Sequence, residues 1–296
     1  MEPHLVGVLT NIGMIAFVAL SAYLLLLVGE ISFGQQAFFG IGAYAAGIGT
    51  AVLDLPLGLA LAIGAIAAAI GQLALALPTF RLRGLYFAMA SLAFAEMMRI
   101  VLELTQFQVE RDGELVGPNG AEGFRGIRYI FERGIEPAEF LLLVAALLAA
   151  TLALLAVLER SRFGRRLRMV GEDELLAALS GIDVFRTKLA MAAAAGALAG
   201  LGGGLYAHAS TYIEPRLFDV MLGVHSLAYG LIGGLGTALG PLLGVGLDIG
   251  LLESTQMFAG YRMIVFGGLV AVLLIWRPRG LLDERLLHRL ARIGRR

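Results

Sequence analysis

The sequence predicts an all-α fold: a polytopic bundle of transmembrane helices with about eight to ten membrane segments, some of them broken or re-entrant. The first observation behind this is composition. Of 296 residues, 58% are hydrophobic and 16% charged, and the mean hydropathy is +0.82. Soluble domains carry about 25% charged and roughly 45–50% apolar residues. The second is distribution: the stretches from His4 to Val28, Ala60 to Pro78, Phe140 to Leu158 and Leu189 to Ala207 hold almost no charge. Crossing the hydrocarbon layer takes about 20 such residues. The third is the abundance of glycine, 40 residues in all, which suits helices that pack closely in lipid.

Taken in order, the apolar runs place helices at 5–28, 31–53, 56–78, 84–105, 138–158, 187–209, 219–235, 239–254 and 261–276. The segments 219–235 and 239–254 admit alternatives. They could form one long helix, or a re-entrant pair broken at Gly233-Gly234-Leu235-Gly236, since irregular backbone at membrane depth survives where protein buries it. Basic residues set the orientation. Seven lie in 159–188 and seven more after Trp276, whereas 106–139 has four arginines against seven acids. By the positive-inside rule, 159–188, the 277–296 tail and the Arg81/Arg83 loop face the cytoplasm, and 106–139 faces outside. The tail from Leu281 to Arg296 places Leu282, Leu286 and Leu290 on one face; an interfacial helix on lipid and a partner-binding helix are its two readings. No basic region precedes the first apolar run, so a cleavable signal peptide is not expected.

Several function classes fall away. Net charge is zero, which gives no field for a nucleic-acid partner. Without cysteine there is no disulfide, thiol nucleophile or thiolate metal site. His208 and His225 stand isolated, with no metal-site spacing, and are expected near the outer surface. No HExxH, GxSxG or GxxxxGK[ST] signature occurs, and Lys188 is the only lysine. There is thus no catalytic residue to name, and if ATP drives this protein another chain hydrolyses it.

Few polar residues interrupt the spans. Ser32, Gln35 and Gln36 open the second, with Tyr44 two turns further on; Glu96 and Arg99 sit three apart on the fourth, a spacing at which they pair on one helix face. Intramembrane ionisable groups often mark a pathway, although a self-cancelling pair also serves structure. Gly196, Gly200 and Gly204 form one ladder at every fourth position, and Gly236, Gly240 and Gly244 a second; helix packing is the default reading. The segment Gly171-Glu172-Asp173-Glu174-Leu175-Leu176-Ala177-Ala178-Leu179-Ser180-Gly181 reads as a short helix. Asp173 or a neighbour caps it, acids suit its positive end, and Gly181 closes it. Leu175, Leu176 and Leu179 make an apolar face too small for a core of its own. It either packs on the chain's own helices or docks on something else.

Three stretches together resemble one family. The run from Gly29 through Ser32, Gln35, Gln36 and Tyr44 to Gly47 looks like the second-span motif of the branched-chain amino acid ABC-transporter permeases, LivM-like subfamily. Ser161 to Arg168 and Ser180 to Lys188 resemble that family's cytoplasmic coupling region. Ala197 to Ala207, followed by Gly233 to Pro241, resembles its C-terminal half. The likeness runs from about residue 5 to 280. Departures are Glu30, where a small or neutral residue is commoner, and the outer Gly117-Pro118-Asn119-Gly120 run, in which proline follows the first glycine; the coupling signature is matched loosely by Glu174, Ala177, Ala178 and Gly181.

The resemblance implies that 1–296 is one permease domain, an external 106–139 segment, a 159–188 coupling segment and a 277–296 tail included. It implies a bacterial-type cytoplasmic membrane and a complex with a second, non-identical permease, two cytoplasmic ATPase subunits and an external solute-binding protein. ATP and Mg would be bound on those partner subunits and no cofactor on this chain. Residues 172–181 would couple to the ATPase. Branched-chain amino acids lead as cargo, with other amino acids, urea, short amides or aromatic acids as alternatives. A stand-alone carrier or channel is the competing class, and it gives no reason for the capped 172–181 helix.

Overall fold

The computed structural model describes residues 3–82, 84–111, 113–253, 262–276 and 280–281. Among the described residues, five helices are long and apolar enough to cross a membrane: α1 (Pro3–Leu27), α3 (Leu57–Thr79), α4 (Leu85–Leu104), α6 (Pro137–Arg160) and α9 (Val184–Ser210). Shorter apolar helices complete the bundle: α2 (Gln35–Ala51), α10 (Val220–Gly233), α11 (Leu239–Val245), which continues as a π-helical segment Gly246–Glu253, and α12 (Arg262–Trp276). Three short helices connect the apolar ones, α5 (Tyr129–Glu132), α7 (Arg162–Glu172) and α8 (Glu174–Leu179). Of the expected interfacial helix from Leu281 to Arg296, everything after Leu281 lies, like Arg83, outside the described residues.

The core is built around α9. Gly42 of α2, Gly64 of α3 and Gly200 of α9 meet at one crossing. A Cβ on Gly42 would lie 2.2 Å from Gly200 Cα, and one on Gly200 2.7 Å from the Gly64 carbonyl. Only glycine permits that approach. The first glycine ladder thus has its partners: Gly196 faces Ala68, Ala69 and Gln72 of α3, and Gly204 faces Leu61 and Ala46. Around this centre, α1 is buried over 67% of its most apolar window, whereas α6 reaches only 17% and forms the rim.

Three expectations change. The second helix starts at Gln35, not residue 31, because residues 28–34 make a tight connector with Gly29 at φ +79° and Ser32 Oγ accepting from the Gly34 N–H (3.2 Å). Of the alternatives for 219–254, the broken pair is the one adopted. Gly234 (φ +95°) ends α10, and α11 folds back so tightly that a Cβ on Gly233 would lie 1.7 Å from the Gly240 carbonyl. At about 1.5 Å per residue, α10 with its 14 residues is too short to span. The second glycine ladder is therefore split: Gly236 sits in the turn, while Gly240 and Gly244 pack against α10. Finally, the 106–139 segment, expected outside, holds a three-stranded antiparallel sheet, β1 (Val109–Arg111), β2 (Glu114–Pro118) and β3 (Phe124–Arg125), in the order β1-β2-β3. The Phe124 N–H donates to the Ile213 carbonyl (2.7 Å), which stitches this sheet to the chain leaving α9.

Candidate functional site: the α7–α8 module and a polar interior

The arginine-rich segment folds into two short helices at right sequence for capping. Ser161 Oγ accepts from the Phe163 and Gly164 N–H groups (3.1 Å each) and starts α7. Leu167 and Val170 are buried against the bundle, whereas Arg162, Arg165 and Arg166 point away from it. Glu172 is the last residue of α7, so the expected single 172–181 helix is shorter by its first residues. Asp173 is the cap between the two helices: its Oδ1 accepts from the Leu175 and Leu176 N–H groups (2.9 and 3.0 Å). Gly181, at φ +81°, closes α8 in the left-handed region, a conformation glycine adopts without strain.

On α8 only Ala177 is buried. Leu175, Leu176 and Leu179 are 70%, 59% and 78% exposed, and Ala178 is exposed beside them. The face does not pack on this chain's described helices. The module is nevertheless held firmly. A Cβ on Gly171 would lie 2.4 Å from the Leu27 carbonyl, and Gly29 opposes Gly171 from the other side, so α7 sits backbone-to-backbone on the end of α1. Lys188 Nζ donates to Glu30 Oε1 and Glu174 Oε1, both at 2.5 Å. Lys188 and Glu30 are 4% and 3% exposed, an arrangement that is stable for charges only when they are paired. Burial raises the Glu30 carboxyl above its ordinary range, and the Lys188 ammonium opposes that rise. Glu159, at the end of α6, ties down the helix break as well: it accepts from Tyr23 Oη and from the Ala238 N–H (2.8 Å each).

The interior residues picked out from sequence fall into two groups. Ser32, Gln35, Gln36 and Tyr44 are buried on the connector and α2. Ser21 of α1 hydrogen-bonds Gln35, and Gln35 Nε2 donates to Ser32 Oγ (3.2 Å). Gln36 Oε1, Tyr44 Oη and both amide atoms of Gln72 are buried with no hydrogen-bond partner among the described residues. Such groups are costly in a dry bundle. Glu96 and Arg99 do pair, and Glu103 one turn on joins them. With Glu96 42% exposed, this trio lies on the flank of α4 and is not brought together with the α2 group.

Sequence reasoning missed a second polar cluster. Asp248 in the π-helical segment is 1% exposed and accepts from Tyr229 Oη (2.6 Å). With Asn11, Tyr206, Asp219 and His225 it lines an open pocket of about 310 Å³ to which Ile15, Leu222 and Phe266 add apolar wall. A lone aspartate within an apolar run is the signal that marks it. His208 is also not at the surface. It is buried between α9 and α2, its Nδ1–H donating to the Gly204 carbonyl (2.6 Å) and its Nε2 facing Thr50 Oγ1 (2.9 Å).

A rim of long apolar helices, a core crossed at glycines, polar groups stranded inside and a capped apolar helix left exposed at one end define a class: a multi-pass helical membrane protein. The chain belongs to the family described as branched-chain amino acid transport system / permease component, whose profile matches residues 4–276. It is similar to the high-affinity branched-chain amino acid transport system permease protein LivM of Salmonella typhimurium, at 29% identity over 94% of this chain and 68% of that protein. LivM of Escherichia coli K12 matches equally. The LivH permease protein of Salmonella typhimurium is 25% identical over 87% of each chain. No solved structure matches.

Proposed function

We propose that this chain is one half of the membrane pathway of an ATP-driven importer for branched-chain amino acids, working beside a second, similar permease in a bacterial-type cytoplasmic membrane. Two ATPase subunits, carrying the ATP and Mg, engage α8 from the cytoplasm. An external solute-binding protein delivers cargo to the 106–139 face. Alternating access follows if nucleotide-driven closure of the ATPases draws α8 inward and the helices mounted on it re-orient. The observation that carries this reading is the face of α8: three exposed leucines on a six-residue helix that is rigidly based on the ends of α1 and α9. An apolar face so placed gains roughly 1.5–3 kcal/mol per leucine when a partner covers it. The α2 group of Ser32, Gln35, Gln36 and Tyr44 supplies polar atoms along the pathway. The Glu96–Arg99 pair lies on the α4 flank, where a second permease would cover it.

Reconstitution tests the reading. Proteoliposomes holding this chain with a second permease, the ATPase subunits and the binding protein are expected to accumulate leucine only when ATP is supplied. Leucine uptake by this chain alone, without ATP, would identify a stand-alone carrier or channel instead.

A further inference from the structure

We propose that Lys188 is the positioning residue through which displacement of α8 reaches the start of α2. The proposal rests on the importer reading above and adds a route to it. The chain's only lysine stands at the base of α9, buried, and its ammonium joins two carboxylates from different elements. One, Glu30, is buried in the connector between α1 and α2; the other, Glu174, has a side chain 41% exposed on the first turn of α8. A buried ammonium needs one carboxylate for neutrality, and Glu30 supplies it. The second comes from the element that the ATPase would move, and the half-exposed arm is the one able to part without stranding a buried charge.

Beyond Glu30 the connection continues. Two residues on, Ser32 Oγ receives the Gly34 N–H and the Gln35 amide, and Gln35 in turn meets Ser21 of α1. Gln36 follows, with its Oε1 unpartnered among the described residues and a position against Gly223 of α10. A shift of Lys188 relative to Glu30 therefore bears on the N-terminal turn of α2, where α1, α2 and the broken α10–α11 pair converge. Transmission of this kind requires an element with two discrete arrangements. Lys188 bridging both carboxylates and Lys188 paired with Glu30 alone are such a pair.

The test uses the complete reconstituted complex and reads two quantities: co-purification of the ATPase subunits, and solute moved per ATP hydrolysed. Lys188→Met is expected to keep the ATPase bound, because the leucine face is untouched, while the transport-to-hydrolysis ratio falls at least roughly fivefold. A double variant guards against simple misfolding. Glu30→Lys with Lys188→Glu keeps the buried pair neutral but sets a carboxylate against Glu174, and is expected to insert, bind ATPase and remain uncoupled. Adding Glu174→Lys restores opposite charges at all three positions and is expected to recover the ratio. A wild-type ratio in Lys188→Met, or a triple variant no better coupled than the double, overturns the inference while leaving the importer reading intact. Failure of the wild-type chain to bind any ATPase subunit would overturn the importer reading and this inference together.

Discussion

The two ends of the molecule leave different features exposed. At the α7–α8 end one ion pair is turned inward and one apolar face outward: Lys188 and Glu30 are buried as a pair, while the α8 leucines stand exposed beside the surface arginines of α7. At the 106–139 end the arginines are paired within the chain. Phe124, Ile127 and Ile213 are fully buried beneath the sheet, and the arginines lie on top, each engaged by its own chain. Arg111 pairs with Asp54 (3.0 Å) and Arg128 with Glu114 (3.1 Å); Arg125 lies over Tyr212 and Arg133 over Tyr129. Between them is a polar hollow of about 240 Å³ lined by Thr50, Asp54, Glu114 and Glu132 among others. An exposed apolar face favours a lasting contact, whereas a rim of solvated ion pairs tunes encounter and release. Under the proposed function, the α8 end would meet a permanent subunit and the 106–139 end a visitor.

Three variants probe this contrast, in descending order of expected effect. Leu176→Asp removes the burial of one leucine and adds a charge to the docking face. Association with the ATPase subunit should weaken by roughly 10–150-fold, the equivalent of about 1.5–3 kcal/mol, with membrane insertion unchanged; co-purification from detergent measures it. Gly171→Val puts a side chain 2.4 Å from the Leu27 carbonyl. Overpacking of this kind costs about 1–3 kcal/mol, and limited proteolysis should show α7–α8 released from the bundle while the membrane helices stay protected. Arg128→Glu at the outer end breaks a pair whose side chains are 53% and 61% exposed. Transport should fall only several-fold, about 1 kcal/mol or less, and lose part of its dependence on ionic strength. A larger loss there than at Leu176 would invert the comparison.

What could be read from the residues alone follows the same division. Local chemistry was legible: Asp173 caps and Gly181 closes α8 because capping needs a side-chain acceptor and a left-handed residue within one short stretch. The ladder of Gly196, Gly200 and Gly204 announced close packing, but not that Gly42 and Gly64 meet it. Glu30 stood out as an oddity in its motif; its partner Lys188 lies 158 positions away, a distance no periodicity bridges. The outer sheet was missed because strands of two to five residues carry too few alternations to stand out from a polar loop. Asp248 was passed over within an apolar run, where its partner Tyr229 lies across a hairpin whose break was one of several options. In each case the missing information is tertiary.

Accessibility of α8 is the most direct measure of what its exposed leucine face is for. The chain has no cysteine, so Leu176→Cys provides a single thiol on the exposed face. In the permease purified without its ATPase subunits, a water-soluble maleimide should label that thiol rapidly. In the assembled importer, labelling should slow by at least roughly tenfold, because burial of the leucine face is what stabilises the contact. Equal labelling rates in the two states would show that α8 stays open to solvent in the complex, and would contradict its role as the docking element.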